Sequence, residues 1–121
     1  METATLELVS FYAGGFRFAM EARLVRGMAR VDVAGEGEAP AADGLLGLAP
    51  AGGERRILCI GVARRRLAVC APVELSTLPA SRIFALPSPV AARLRLRGVR
   101  ALAWLADGPV FIVDADALLD A

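Results

Sequence analysis

Along the chain, short apolar runs alternate with clusters of glycine, proline and charge, and the spacing inside each run predicts strands far more often than helices. Leu6 to Tyr12 is β-rich and partly alternating, Ala13-Gly14-Gly15 supplies turn residues, and Phe16-Arg17-Phe18-Ala19-Met20 alternates again, so a hairpin is predicted. From Glu21 to Met28 the period changes: Leu24, Val25 and Met28 take the i, i+1, i+4 spacing of one face of a short helix. Arg30-Val31-Asp32-Val33 begins another strand. Gly35, Gly37, Pro40, Gly44, Gly47, Pro50, Gly52 and Gly53 then break residues 34–54 into loop, where only Leu45, Leu46 and Leu48 offer much to bury.

Ile57 to Val62 is apolar on both faces, as an interior strand requires, Ala63 to Arg66 reads as a charged turn, and Leu67 to Ala71 returns as its partner. A two-residue loop at Arg64-Arg65 sets Cys59 opposite Cys70, whereas a slip of one residue sends them to different faces; the pattern leaves both registers open. Pro72 lacks an amide donor and belongs at an edge or bend, followed by alternating Val73 to Leu78. Ala80 to Ala85 forms a short turn carrying Ile83 and Phe84, and Pro87-Ser88-Pro89 interrupts the chain. Gly98 to Ala106 is a strand bearing Trp104, Asp107-Gly108 a hairpin signal, and Pro109 to Val113 the return. Asp114 caps a last short helix that buries Leu118 and Leu119. About seven or eight short strands with little helix predict a mostly β domain, a barrel or sandwich.

Composition narrows the chemistry. At 121 residues the chain suits one domain, and its 56% hydrophobic content, without a bilayer-spanning run, points to a core or an interface. The N-terminal Met1-Glu2-Thr3-Ala4-Thr5 shows no basic, apolar leader, and a cytoplasmic location is expected. All fourteen cations are arginines against thirteen acids, and there is no histidine, so ordinary general-base, imidazole-metal and Ser-His or Cys-His chemistry is excluded. Ser10, Ser76, Ser81, Ser88, Cys59 and Cys70 have no histidine to activate them, and two cytosolic cysteines read as reduced structural thiols. The arginines of Arg64-Arg65-Arg66 and of Arg93, Arg95, Arg97 and Arg100 lack interleaved aromatics, and near-zero net charge argues for a solvated face or a protein contact rather than nucleic acid. Asp114, Asp116 and Asp120 lack the glycine and terminal glutamate of a calcium loop, and no cofactor or metal is expected.

In order and spacing these segments resemble the CheW-like chemotaxis coupling family. Leu8 to Tyr12 with Gly14 to Met20 is similar to the family's first hairpin, and Leu24-Val25-Arg26-Gly27-Met28 to the segment after it. Ile57 to Val62, the arginine turn, Leu67 to Ala71, Val73 to Leu78 and Ile83 to Pro87 follow, and Gly98 to Leu119 resembles the last hairpin and terminal helix. Two features depart from the family. Its proline-bearing link and glycine, asparagine, leucine, arginine, glycine run are replaced by residues 34–54, and its aspartate in the second barrel is not evident around Cys70-Ala71-Pro72.

The resemblance implies a fold of two small five-stranded barrels, the first reduced, with a short C-terminal helix. Residues 1–33 and the C-terminal region would form the reduced barrel, 34–54 the replacing loop and 55–97 mainly the second barrel. It looks like a truncated member, of the kind found beside full-length couplers in Frz-type systems of gliding bacteria. It further implies a non-enzymatic adaptor that binds the cytoplasmic region of a chemoreceptor through Val25, Arg26, Met28, Val69 and Val73, which correspond to segments bordering the groove between barrels. Binding to a CheA-type histidine kinase would be weakened or lost, and another CheW-like protein or a second copy are further partners. An unpaired strand edge left by the shortening must be covered by the loop, another copy or a partner strand. The alternative from another class is a small cysteine-dependent redox or ligand-binding protein.

Overall fold

The computed structural model describes residues 4–30, 39–49, 54–61, 65–86, 98–105 and 108–119. The first hairpin joins β1 (Thr5–Ala13) to β2 (Phe16–Glu21), with Ala13 opposite Phe16 and both turn glycines at positive φ, 57° at Gly14 and 85° at Gly15. Two left-handed residues match the right-handed twist of the flanking strands, which explains why glycine occupies both.

No helix follows. Ala22–Leu24 makes one 3-10 turn and Val25–Arg30 forms β3, paired antiparallel with β4 (Arg55–Ile60). Three apolar residues at helical spacing cannot offset helix nucleation, and Gly27 disfavours it further, whereas the ladder to β4 satisfies the backbone at once. Val31, Asp32 and Val33 lie outside the described residues.

The charged turn also shifts. Gly61, at φ 72°, ends β4's run, and β5 (Arg65–Pro79) already includes Arg65 and Arg66, opposite Ile60 and Cys59. Val62, Ala63 and Arg64 lie outside the described residues. Neither register weighed from the pattern holds: Cys70 faces Arg55 and Cys59 faces Arg66, so the thiols are not cross-strand partners. Arg65 has a reason to stay in the strand, since its Nη2 donates to the carbonyl of Leu119 at 2.8 Å.

Pro72, after a cis Ala71-Pro72 peptide, lies within the 15-residue β5 at the junction of two ladders. Before it β5 pairs with β4 up to Cys70; after it Glu74 to Pro79 pairs with Ser10 to Thr5 of β1, whose register shifts between Ser10 and Tyr12. A residue without an amide donor is tolerated at such a junction. A second 3-10 turn (Ala80–Arg82) leads into β6 (Ile83–Ala85); β7 (Val99–Leu105) and β8 (Gly108–Val113) complete the sheet. Gly108 opposes Leu105 within the ladder, while Ala106 and Asp107 lie outside the described residues, as does Pro87-Ser88-Pro89.

The strand order is β3-β4-β5-β1-β2-β8-β7-β6, antiparallel except for β2 beside β8. Alternation along the strands sends apolar side chains to both faces. Phe11, Met20, Leu58, Ile60, Leu67 and Val69 join one core; Leu8, Ala19, Leu78, Ala103, Val110 and Ile112 join another. Two cores on one sheet account for a hydrophobic fraction above the ordinary. Among the described residues no ladder links β3 to β6, so the sheet does not close there.

Within the segment read as loop, residues 39–49 carry a one-turn helix, α1 (Ala42–Leu45), that lies against β5 where β1 has ended. Ala68 donates to the Pro40 carbonyl at 2.9 Å, and Ala42 and Leu46 enter the first core. The buried Asp43 meets Arg55 at 2.8 Å and accepts from the Gly14 amide at 3.3 Å, tying α1 to β4 and to the first hairpin. Its hydrogen bond holds the Arg55 guanidinium above the usual arginine range against the opposing pull of desolvation. The terminal helix α2 (Ala115–Leu119) is capped as expected: Asp114 Oδ1 accepts from the amides of Asp116 and Ala117 at 3.1 and 3.3 Å. Leu118 is fully buried and Leu119 partly. Among the described residues no helix is long and apolar enough to cross a membrane.

Candidate functional site

β5 runs on past its pairing with Arg55, where β4 begins, to pair with β1, and among the described residues β3 has no neighbour on its outer side; a groove lies between β3 and this second half of β5. Val25, Arg26, Gly27 and Met28 of β3 form one wall, Val73, Glu74 and Leu75 of β5 the other, and Val9 and Leu58 complete the lining around a volume of about 360 Å³. It continues past Met28 and Val73 into a recess of about 490 Å³ lined also by Glu54, Arg56, Ala71 and Pro72.

The lining is apolar with a charged rim. Met28 is 55% and Leu75 66% exposed, an unusual placement for side chains whose burial is worth about 1.5–3 kcal/mol each. On the β5 wall, Ser10 Oγ donates to the Glu74 carbonyl at 3.3 Å and Arg17 reaches the Glu74 carboxylate at 3.6 Å. Arg56 and Glu54 pair at 2.6 Å beside the recess, and Arg26 is exposed on the β3 wall. Such a surface supplies shape, apolar area and flanking charge for gripping a helix or strand.

Of the five residues singled out from the sequence, the structure brings four together: Val25, Arg26, Met28 and Val73 line the groove. Val69 does not. It is fully buried in the first core, because residues 67 and 69 of β5 share the inward face. Val9, Leu58, Glu74 and Leu75 escaped notice; the alternation of Val73 to Leu78 placed Leu75 on an apolar face without showing that this face is open to solvent.

The other candidates sit elsewhere. Ser10 is buried and engaged with Glu74, Cys70 is buried and Cys59 partly so. A cysteine-specific reagent added to the native protein is therefore expected to spare Cys70, modifying it only on unfolding; rapid labelling of both thiols would contradict the structure. Asp114 and Asp116 border a cleft of about 470 Å³ with Glu21, Arg23 and Arg100, where Arg23 pairs with Glu21 at 2.8 Å and Arg100 with Asp114 at 3.4 Å. Among the described residues no three His, Cys, Asp or Glu side chains gather as a metal site. Asp120, Ser88, Arg64, Arg93, Arg95 and Arg97 lie outside them.

No protein-family model matches the sequence, and no curated protein does. Among solved structures, the chain is similar to the crystal structure of the scaffolding protein TtCheW from Thermoanaerobacter tengcongensis, with a TM-score of 0.76 at 16% identity, over 99% of this chain and 91% of that one. An open-groove β architecture superposing over nearly its whole length on that scaffold gives the chain a CheW-like fold.

Proposed function

We propose that this protein is a non-enzymatic adaptor of a bacterial chemosensory system, which receives an amphipathic helix from the cytoplasmic region of a chemoreceptor in the groove between β3 and β5. One observation carries the reading: four residues chosen for receptor contact converge on one groove, where Met28 and Leu75 stand half or more exposed. Helix-in-groove recognition needs an apolar stripe and flanking charge, both of which the walls supply. A cytoplasmic setting follows from that partner. The shortening read between β3 and β4, where the described residues 39–49 form α1 and one isolated bridge in place of a strand, supports weakened contact with a CheA-type histidine kinase and kinship with the truncated couplers of Frz-type systems.

The test is calorimetric titration with a receptor cytoplasmic fragment and, separately, with a kinase regulatory domain. Receptor binding should fall at least about tenfold in the double variant Met28→Asp/Leu75→Asp, with unfolding unchanged because both side chains are largely in water. Undiminished binding by the folded variant would move the receptor site elsewhere. Kinase affinity equal to that of a full-length coupler would sink the second half of the reading.

A further inference from the structure

We infer that Met28 is an oxidation switch of the groove between β3 and β5: a peroxide converts its thioether to the sulfoxide in the folded protein and so weakens the docking of an apolar helix face. The inference rests on the receptor reading above. The chain's three methionines stand in different settings. Met20 is fully buried in the first core, Met28 is 55% exposed, and Met1 lies outside the described residues. Oxidation of sulfur follows access to it, so Met28 reacts without unfolding while Met20 is shielded. The thiols are less open, Cys70 being buried and Cys59 partly so.

Placement turns a common reaction into a switch. Met28 lines both the groove of about 360 Å³ and the recess of about 490 Å³ that continues it. Its ladder partner Leu58 is fully buried and lines the same groove, so register holds the thioether on the docking wall. Of the groove's two largely exposed apolar side chains, Leu75 offers a peroxide nothing to oxidise and Met28 offers a thioether. A lone pair on Sγ attacks one peroxide oxygen; the O–O bond breaks as the S–O bond forms, and the departing hydroxide takes the proton of the transferred oxygen and leaves as water. Sulfur loses two electrons and the peroxide gains them. The product replaces a flexible apolar contact by a polar one with an exposed acceptor oxygen. A docking helix must strip water from that oxygen, whereas the free protein leaves it hydrated, so oxidation penalises the complex and spares the fold.

The test is calorimetric titration of the intact chain with a receptor cytoplasmic fragment, on samples drawn during treatment with dilute hydrogen peroxide and mapped for oxidised sites by mass spectrometry. Affinity is expected to fall about tenfold in step with the sulfoxide at Met28, with Met20 unmodified and the urea midpoint unchanged. Methionine sulfoxide reductases of both epimer specificities should restore it, and dithiothreitol, which reverses sulfenic acids and disulfides, should not. Full affinity with Met28 oxidised, a loss that follows Met1 or a cysteine instead, Met20 oxidised as fast as Met28, or a fall in the urea midpoint would overturn the inference and leave the receptor reading standing. An untreated protein that does not bind the fragment would fail that reading before any oxidant is added, and the switch with it.

Discussion

Replacing Asp43 by alanine is expected to lower the free energy of unfolding by about 3 kcal/mol. The carboxylate is 1% exposed, with Oδ1 2.8 Å from Nη1 of Arg55 and Oδ2 3.4 Å from Nη2, and it accepts from the amide of Gly14. Removing it takes an acceptor from a part-buried cation and from a backbone donor at once, and breaking such a pair costs more than the pair itself contributes, since desolvation has already been suffered by the group left behind. Arg55 retains 25% side-chain exposure, so water recovers part of the loss and the upper end of the usual range is not reached. The double variant Asp43→Ala/Arg55→Met should be more stable than Asp43→Ala alone, because it removes the part-buried charge that has lost this acceptor. Urea denaturation of the three proteins checks this. A single-variant loss below about 1 kcal/mol, the scale of an exposed ion pair, would show that the clasp is ornamental. The consequence reaches the site, because Glu54 and Arg56, on either side of Arg55, line the recess of the groove.

Gly98→Ala should cost a similar amount for a different reason. Gly98 has φ 82°, and a Cβ there would lie 2.9 Å from the backbone nitrogen of Leu118 and 3.0 Å from its Cα. The left-handed conformation alone costs an L-residue roughly 1–2 kcal/mol, and forcing an atom into packed surroundings adds about 1–3 kcal/mol. Backbone cannot rotate aside as a long side chain would, so relief requires α2 to move. That withdraws fully buried Leu118 from the first core and strains the 2.7 Å hydrogen bond from the Asp114 amide to the Gly98 carbonyl. Gly15→Ala is the control: φ is 85°, yet nothing lies within 4 Å of the added carbon, so only the conformational part is lost. Thermal and urea unfolding of the two variants should differ by the packing contribution. Equal losses would mean that α2 yields freely.

What the sequence determined by itself is what short-range pattern encodes. Alternation marked β1 and β2, the Asp107-Gly108 turn signal marked β8 as a returning strand, paired glycines marked the first turn, and Asp114 before an apolar turn marked the cap of α2, because each depends on residues within a few positions of one another. The mostly β class, the single-domain length and the order of segments came from the same source. Val25 and Met28 were legible as groove residues through the resemblance of their segment, although the helix read into their spacing proved to be an edge strand. That conversion is a tertiary effect: the ladder from β4 satisfies backbone groups that a single helical turn would leave open. Tertiary structure alone also decided the β4–β5 register, which a three-residue arginine run leaves sliding, and hence that Cys59 and Cys70 never face each other. It decided that Val69 is core while Val73, past Pro72, is wall. Asp43 is the clearest case. In a glycine-rich stretch its carboxylate reads as solvent-exposed loop, and only the approach of Arg55, twelve residues on, and of Gly14, twenty-nine residues back, makes it a buried clasp. Pairings at such separations depend on the closure of the whole sheet, a free energy no local window contains.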